Sequence, residues 1–170
     1  MDVPRFLSFA GKVTVAHVVT YFVAGAIAYQ LLTKQFYEGS DAVFATFMRT
    51  PANPDLWRHA MIWFIPGQIL RGLLIASALY PLCATFESWT FSKRFASISA
   101  LYLVLGCWAS AVAAPGTIEG MIYMRPEINL YAHAMVQPEI VLQGLALGAW
   151  VAWWLKSKSK ESRGPAHASL

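Results

Sequence analysis

Charge is scarce in this chain. Lys, Arg, Asp and Glu together make up 13% of its 170 residues, about half the share of an ordinary soluble domain, so a normal water-facing surface is excluded. Cysteine is rarer still, at two residues, too few for a small extracellular scaffold stapled by several disulfides. No CxxC and no Cys/His group with zinc spacing occurs, which disfavours a disulfide oxidoreductase of the membrane and a zinc site. The fingerprints GxSxG, HExxH, the P-loop and the dinucleotide turn are missing too, so no familiar catalytic class is indicated. What fills the space is apolar: 57% of residues are hydrophobic and 14% aromatic, with seven Trp and a mean hydropathy of +0.47. Such a chain is not disordered. It reads as a polytopic membrane protein.

Uncharged runs count the crossings, because a helix needs roughly 20 apolar residues to span the hydrocarbon layer. Between Lys12 and Lys34 lie 21 residues without a charge, which predicts a first span over about 13–33. A second, about 59–83, is interrupted only by Arg71, and the Pro66-Gly67 pair is expected to break it. A run of 24 residues separates Arg94 from Glu119, giving a third span over 95–115 that stops at Pro115-Gly116. The fourth covers 138–155 and closes at Lys156. Residues 1–155 then form one transmembrane domain, an all-α four-helix bundle, followed by a basic cytoplasmic tail at 156–170. Cys83 and Cys107 fall at different depths in this scheme, so no disulfide is expected. Gly144 and Gly148, four apart, suit a close helix approach.

Orientation follows from Lys and Arg near the helix ends. Eight of them, Arg5, Lys12, Lys93, Arg94, Lys156, Lys158, Lys160 and Arg163, share the side of the termini, against four on the other side, Lys34, Arg49, Arg58 and Arg125. Both termini are therefore expected in the cytoplasm. The net charge of +4 and pI of about 9.2 report this bias, so the basic tail calls for no nucleic acid. The first apolar run exceeds the length of a signal-peptide core and offers no small-residue cleavage site at Tyr29-Gln30-Leu31, so it is expected to be retained. On the outer side, Ser40 and Asp41 can cap a short helix over 41–50 with Phe44, Phe47 and Met48 on one apolar face. A second short outer helix is expected over 126–135, where Pro126 and Glu127 suit a first turn. Trp57, Trp89, Trp150, Trp153 and Trp154 read as interfacial anchors.

Arg71 is the most informative position. It lies 13 residues past Arg58, about 20 Å along a helix, so its backbone sits near mid-bilayer, where an arginine costs about 2.5–3.5 kcal/mol or more without a partner. Glu119 and Glu139 are the candidate acids, with Gln68 and Gln143 as neutral aids, and the expectation is a buried Arg/Glu salt bridge in a polar pocket open to the outer face. Such a pair serves either as structural glue or as a ligand, proton or ion site. Two short echoes, PGQILRG at 66–72 with PGTIEG at 115–120, and PEINL at 126–130 with PEIVL at 138–142, hint weakly at internal duplication.

No cofactor is called for. Bis-His ligation of haem b is the minor alternative, with His59 and His133 as its pair, since His17 is placed toward the cytoplasmic end. His59 and His133 are equally the candidates for a proton relay. A membrane-embedded lipid enzyme using Glu119, Glu139 and His133 as acid and base is another minor alternative.

The stretches HVVTYF at 17–22, RGLL at 71–74, AAPGTIEG at 113–120 and PEIVLQ at 138–143 resemble an uncharacterised family of small polytopic bacterial inner-membrane proteins. The likeness covers the four spans and is most specific around Glu119. It implies a multi-pass bacterial inner-membrane location and transfers no activity. The resulting expectation is a non-catalytic integral membrane protein, an accessory or structural subunit packed against other membrane subunits or against itself. The alternative is a small transporter or channel for an anion or protons.

Overall fold

A computed structural model describes residues 3–40 and 42–155, and every regular element among them is helical. Helix α1 (Val3–Ala28) continues through a π-helical turn, Tyr29–Thr33, into α2 (Lys34–Tyr37). Helix α3 (Pro54–Leu79) continues through a 3-10 turn, Tyr80–Leu82, into α4 (Cys83–Ser88). Helix α5 (Phe91–Ala100) runs on as a π-helix, Leu101–Trp108. The short α6 (Ile118–Tyr123) and the long α7 (Leu130–Trp154) complete the chain. Three of these rods, Val3–Tyr37, Pro54–Ser88 and Leu130–Trp154, are long and apolar enough to cross a bilayer.

Local chemistry sets the helix starts. Asn53 caps α3 by accepting from the Leu56 N–H at 3.2 Å, with Pro54 in the first turn and Asp55 beside the positive helix end. Thr90 caps α5 and Asn129 caps α7, accepting from Lys93 N and Ala132 N at 3.4 and 3.0 Å.

Several boundaries depart from the sequence expectation. The first helix starts at Val3 and carries Arg5 and Lys12, because a charge at the membrane edge ends the apolar run without ending the helix. Pro66 costs α3 one ladder bond and does not break it, and Pro138 is likewise inside α7. The outer helix expected over 126–135 is absorbed: its second half is the start of α7. The third helix ends at Trp108, well before Pro115. Over 41–50 only a 3-10 turn forms, Val43–Thr46. Of the three apolar residues Phe44 is buried while Phe47 and Met48 are exposed, so they do not share a buried face. Asp41, expected as a cap, and the basic tail lie outside the described residues.

Helix α1 is central. It packs against α3 on one side and α7 on the other, and α5 lies against α7, while α3 and α5 barely touch. The bundle is therefore open along one seam. Small residues permit the close contacts: Gly72 of α3 meets Thr14, and Gly144 and Gly148 of α7 meet Leu103 and Ser99. A shared core of Ala10, Val13, Ala16, Ala76, Ile98, Leu147 and Val151 fills the interior. Arg94 of α5, counted above among the charges near helix ends, is only 5% exposed. Both cysteines are free thiols.

Candidate functional site: two cavities flanking a buried histidine

One stripe of α3, running through Trp57, Phe64, Gln68, Arg71, Ile75 and Ala78, faces the rest of the bundle at helical spacing. Two cavities open along it. The one farther from Val3 and Trp154, termed the outer cavity, is about 520 Å³ and lies between α1, the start of α3, the 48–51 connection and Glu139 of α7. The inner one, about 390 Å³, lies in the α3–α5 seam, with Arg71, Tyr102 and Leu147 in its walls.

Between them the wall is polar. His17 is fully buried, and its Nε2–H donates to Gln68 Oε1 at 3.1 Å. That bond ties α1 to α3 and fixes the neutral ring's tautomer, leaving Nδ1 as an acceptor with no partner. Tyr21 and Tyr102 flank the imidazole, with ring centroids 6.0 and 6.4 Å away. The Tyr102 hydroxyl and the Gln143 amide nitrogen are buried without partners as well. Orphaned polar atoms cost free energy in an interior. Such atoms occur on Thr14, Ser99 and the buried Arg94 guanidinium as well, and the two on His17 and Tyr102, whose ring centroids are 6.4 Å apart, stand beside the polar bond between α1 and α3.

The expected salt bridge does not form. Arg71 is exposed within the inner cavity, its guanidinium 6.0 Å from the Tyr102 ring centroid, and neither Glu119 nor Glu139 comes within ion-pair distance. The ion pairs among the described residues are Arg5–Glu87 at 2.8 Å and Arg125–Glu127 at 3.0 Å, both toward helix ends. Glu119 sits half-buried in the first turn of α6, a helix reached only after the chain leaves the third rod. Glu139 was expected near the start of the fourth helix. Because α7 begins at Leu130, it lies nine residues in, about 14 Å along the axis. Its Oε1 stands 3.4 Å from where a Cβ on Gly25 would be, so the carboxylate reaches across to α1 at the point where α1 has no side chain. It makes no hydrogen bond or ion pair among the described residues. Gln143 follows one turn later on the same face of α7.

His59 and His133 have different partners, with no hydrogen bond or ring contact between them among the described residues. His59 is exposed beside Trp63, ring centroids 6.5 Å apart, whereas buried His133 accepts the Gly116 N–H on Nδ1 at 2.9 Å. The phrase around Glu119 has a structural explanation. Gly116 has φ +89°, a conformation that glycine tolerates, and is clamped twice. His133 takes its N–H, and Gln137 donates to its carbonyl at 2.9 Å while accepting from Trp108 Nε1 at 2.9 Å. Thr117 then caps α6 by accepting from Gly120 N at 2.9 Å. Glu119, Glu139 and His133 thus do not converge as an acid–base set. No three His, Cys, Asp or Glu side chains gather as metal ligands among the described residues.

Gln68, Gln143, Arg71 and Glu139 were legible as candidates. His17, Tyr21 and Tyr102 were missed, because a first helix counted from residue 13 puts His17 near an end. Counted over the observed 3–37, it falls near the middle. The chain matches no protein-family model, no characterised protein and no solved structure.

Proposed function

We propose that the chain is a non-catalytic integral membrane protein, crossing the membrane four times with both termini cytoplasmic, and acting as an accessory subunit of a bacterial inner-membrane assembly. Three long apolar helices support membrane integration. The fourth crossing is assigned to the rod over 91–108, which lines up antiparallel to α7 through the contacts Ser99–Gly148, Leu103–Gly144 and Trp108–Gln137. At about 27 Å it approaches the thickness of the hydrocarbon layer.

The observation that carries the subunit role is the open α3–α5 seam with Arg71 in it. Only Gly72, Ala76 and Leu79 of α3 are buried, and the seam continues into a second apolar hollow of about 480 Å³ walled by Leu82, Phe86, Leu101 and Leu105. An unpaired mid-depth guanidinium beside an apolar trough fits a transmembrane helix of another subunit that brings a carboxylate to the same depth. A photo-crosslinking residue at Leu105, in the full chain in its native membranes, is expected to yield an adduct with a second membrane protein, and Arg71→Met to reduce its yield several-fold. Adducts with lipid alone, or with another copy of this chain, overturn the assignment.

A second role, transport of a small anion or protons, is favoured by one feature: the two cavities lie on opposite sides of the His17–Gln68 bond, like two vestibules around a constriction. Flux through the purified chain in liposomes, lost in Gln68→Leu, is the expected signature, and absence of flux removes it.

A further inference from the structure

The outer cavity has the composition of a cation site. Six aromatic rings, Tyr21, Phe22, Tyr29, Tyr37, Trp57 and Phe64, line it. Faces of such rings carry negative potential and attract organic cations, more strongly where water is displaced. Glu139 lines the same space from α7, beside Gly25, and meets no base among the described residues. A carboxylate nine residues inside a membrane-spanning helix is costly, and charges retained at such depth mark ligand or ion sites. The volume of about 520 Å³ suits a small organic molecule and far exceeds one metal ion.

We propose that this cavity binds a lipophilic organic cation, a quaternary or protonated amine bearing a single positive charge, with Glu139 as counter-ion and the six rings as its cage. The wall contents select against other classes. An anion would face the carboxylate, and a neutral molecule would desolvate it without compensation. Arg49, the base on the rim formed by the 48–51 connection, does not reach Glu139 within ion-pair distance. It therefore leaves the carboxylate to the ligand while repelling a second positive charge at the mouth. Tyr29 already donates its hydroxyl to Glu38, so it offers the ligand a ring face and no free donor. The site is independent of the α3–α5 seam and of any partner bound there.

Benzyltrimethylammonium is the probe, titrated calorimetrically into the full chain in a neutral maltoside detergent. Neopentylbenzene, of the same shape without the charge, is the control. One saturable site is expected, with the neutral isostere at least tenfold weaker. Glu139→Gln is expected to weaken the cation at least tenfold while the helical circular dichroism signal and thermal midpoint persist. Should that variant fail to fold, Gly25→Leu, which fills the space beside the carboxylate and leaves the charge in place, is expected to abolish binding in a folded protein. Lack of saturable binding, equal binding of the isostere, or full binding in folded Glu139→Gln or Gly25→Leu overturns the proposal. A bis-quaternary analogue that binds as tightly as the monocation overturns its single-charge specificity.

Discussion

Gly72 of α3 lies so close to Thr14 of α1 that a Cβ added to it would stand 2.8 Å from the Thr14 Cα. That contact sets the distance between the two helices at the level of the His17–Gln68 bond, one turn away. Backbone cannot yield as a side-chain tip can, so Gly72→Ala is expected to cost about 1–3 kcal/mol through overpacking. Gly67, five residues earlier, has nothing within 4 Å of an added Cβ, and Gly67→Ala should stabilise the helix by about 0.5–1 kcal/mol. Thermal midpoints of the two variants in detergent check the contrast, and equal shifts would refute it.

Among the described residues Arg71 makes no ion pair, which gives its removal a distinctive signature. Breaking a buried salt bridge costs about 3–5 kcal/mol because a charge is stranded. Removing an exposed guanidinium that lies over a tyrosine ring and has no acid within ion-pair distance among the described residues strands no charge, and Arg71→Met is expected to leave stability within about 1 kcal/mol of the parent, or to raise it. Stability of the isolated chain measured against denaturant decides. A loss of several kcal/mol would reveal an acid partner.

Part of the architecture is legible in the uncharged runs, and two of the misplacements share one cause. Lys12 and Pro138 were treated as helix boundaries, yet a charge or a proline limits only what the lipid or the ladder tolerates locally. Helices α1 and α7 run past both. That reading moves His17 from mid-helix to an end and Glu139 from the interior of α7 to a first turn; the Arg71 pairing fails separately, because spacing does not show which acids the fold brings to it. The pairing of α3 with α1 through Gly72 and the opening of the α3–α5 seam depend on side-chain contacts between distant segments. Sequence spacing alone carries no such information.

The Gly116 clamp predicts a graded response. Gly116→Ala must hold an L-residue at φ +89° and meets Val136 at 2.8 Å from the new Cβ, so it should be the worst, costing several kcal/mol. Gln137→Leu frees both the Gly116 carbonyl and the Trp108 indole N–H, for about 1–3 kcal/mol. His133→Leu leaves one buried N–H unpaired and should cost about as much. All three should speed amide hydrogen exchange over 109–120 while leaving α1 and α3 unchanged. If exchange rises uniformly along the chain, the clamp is not the local anchor described.

Whether the rod over 91–108 crosses the bilayer fixes the side on which each connection lies. Four crossings place Ala52 and Val112 on the outer face and Ser88 on the inner face, all three being exposed positions in or at the ends of connections. If that rod stayed on one side, Ser88 and Val112 would share a face. Single cysteines at these three positions, in a chain with Cys83 and Cys107 replaced by Ala, can be challenged in intact cells with a membrane-impermeant maleimide. Labelling at 52 and 112, with 88 protected until the membrane is permeabilised, is the expected pattern. The two native thiols must be replaced first because Cys107 is only half-buried and would add background. Protection of 112 together with 88 would reduce the count to three crossings, put the termini on opposite sides, and leave the α5–α7 contacts as packing at one membrane surface.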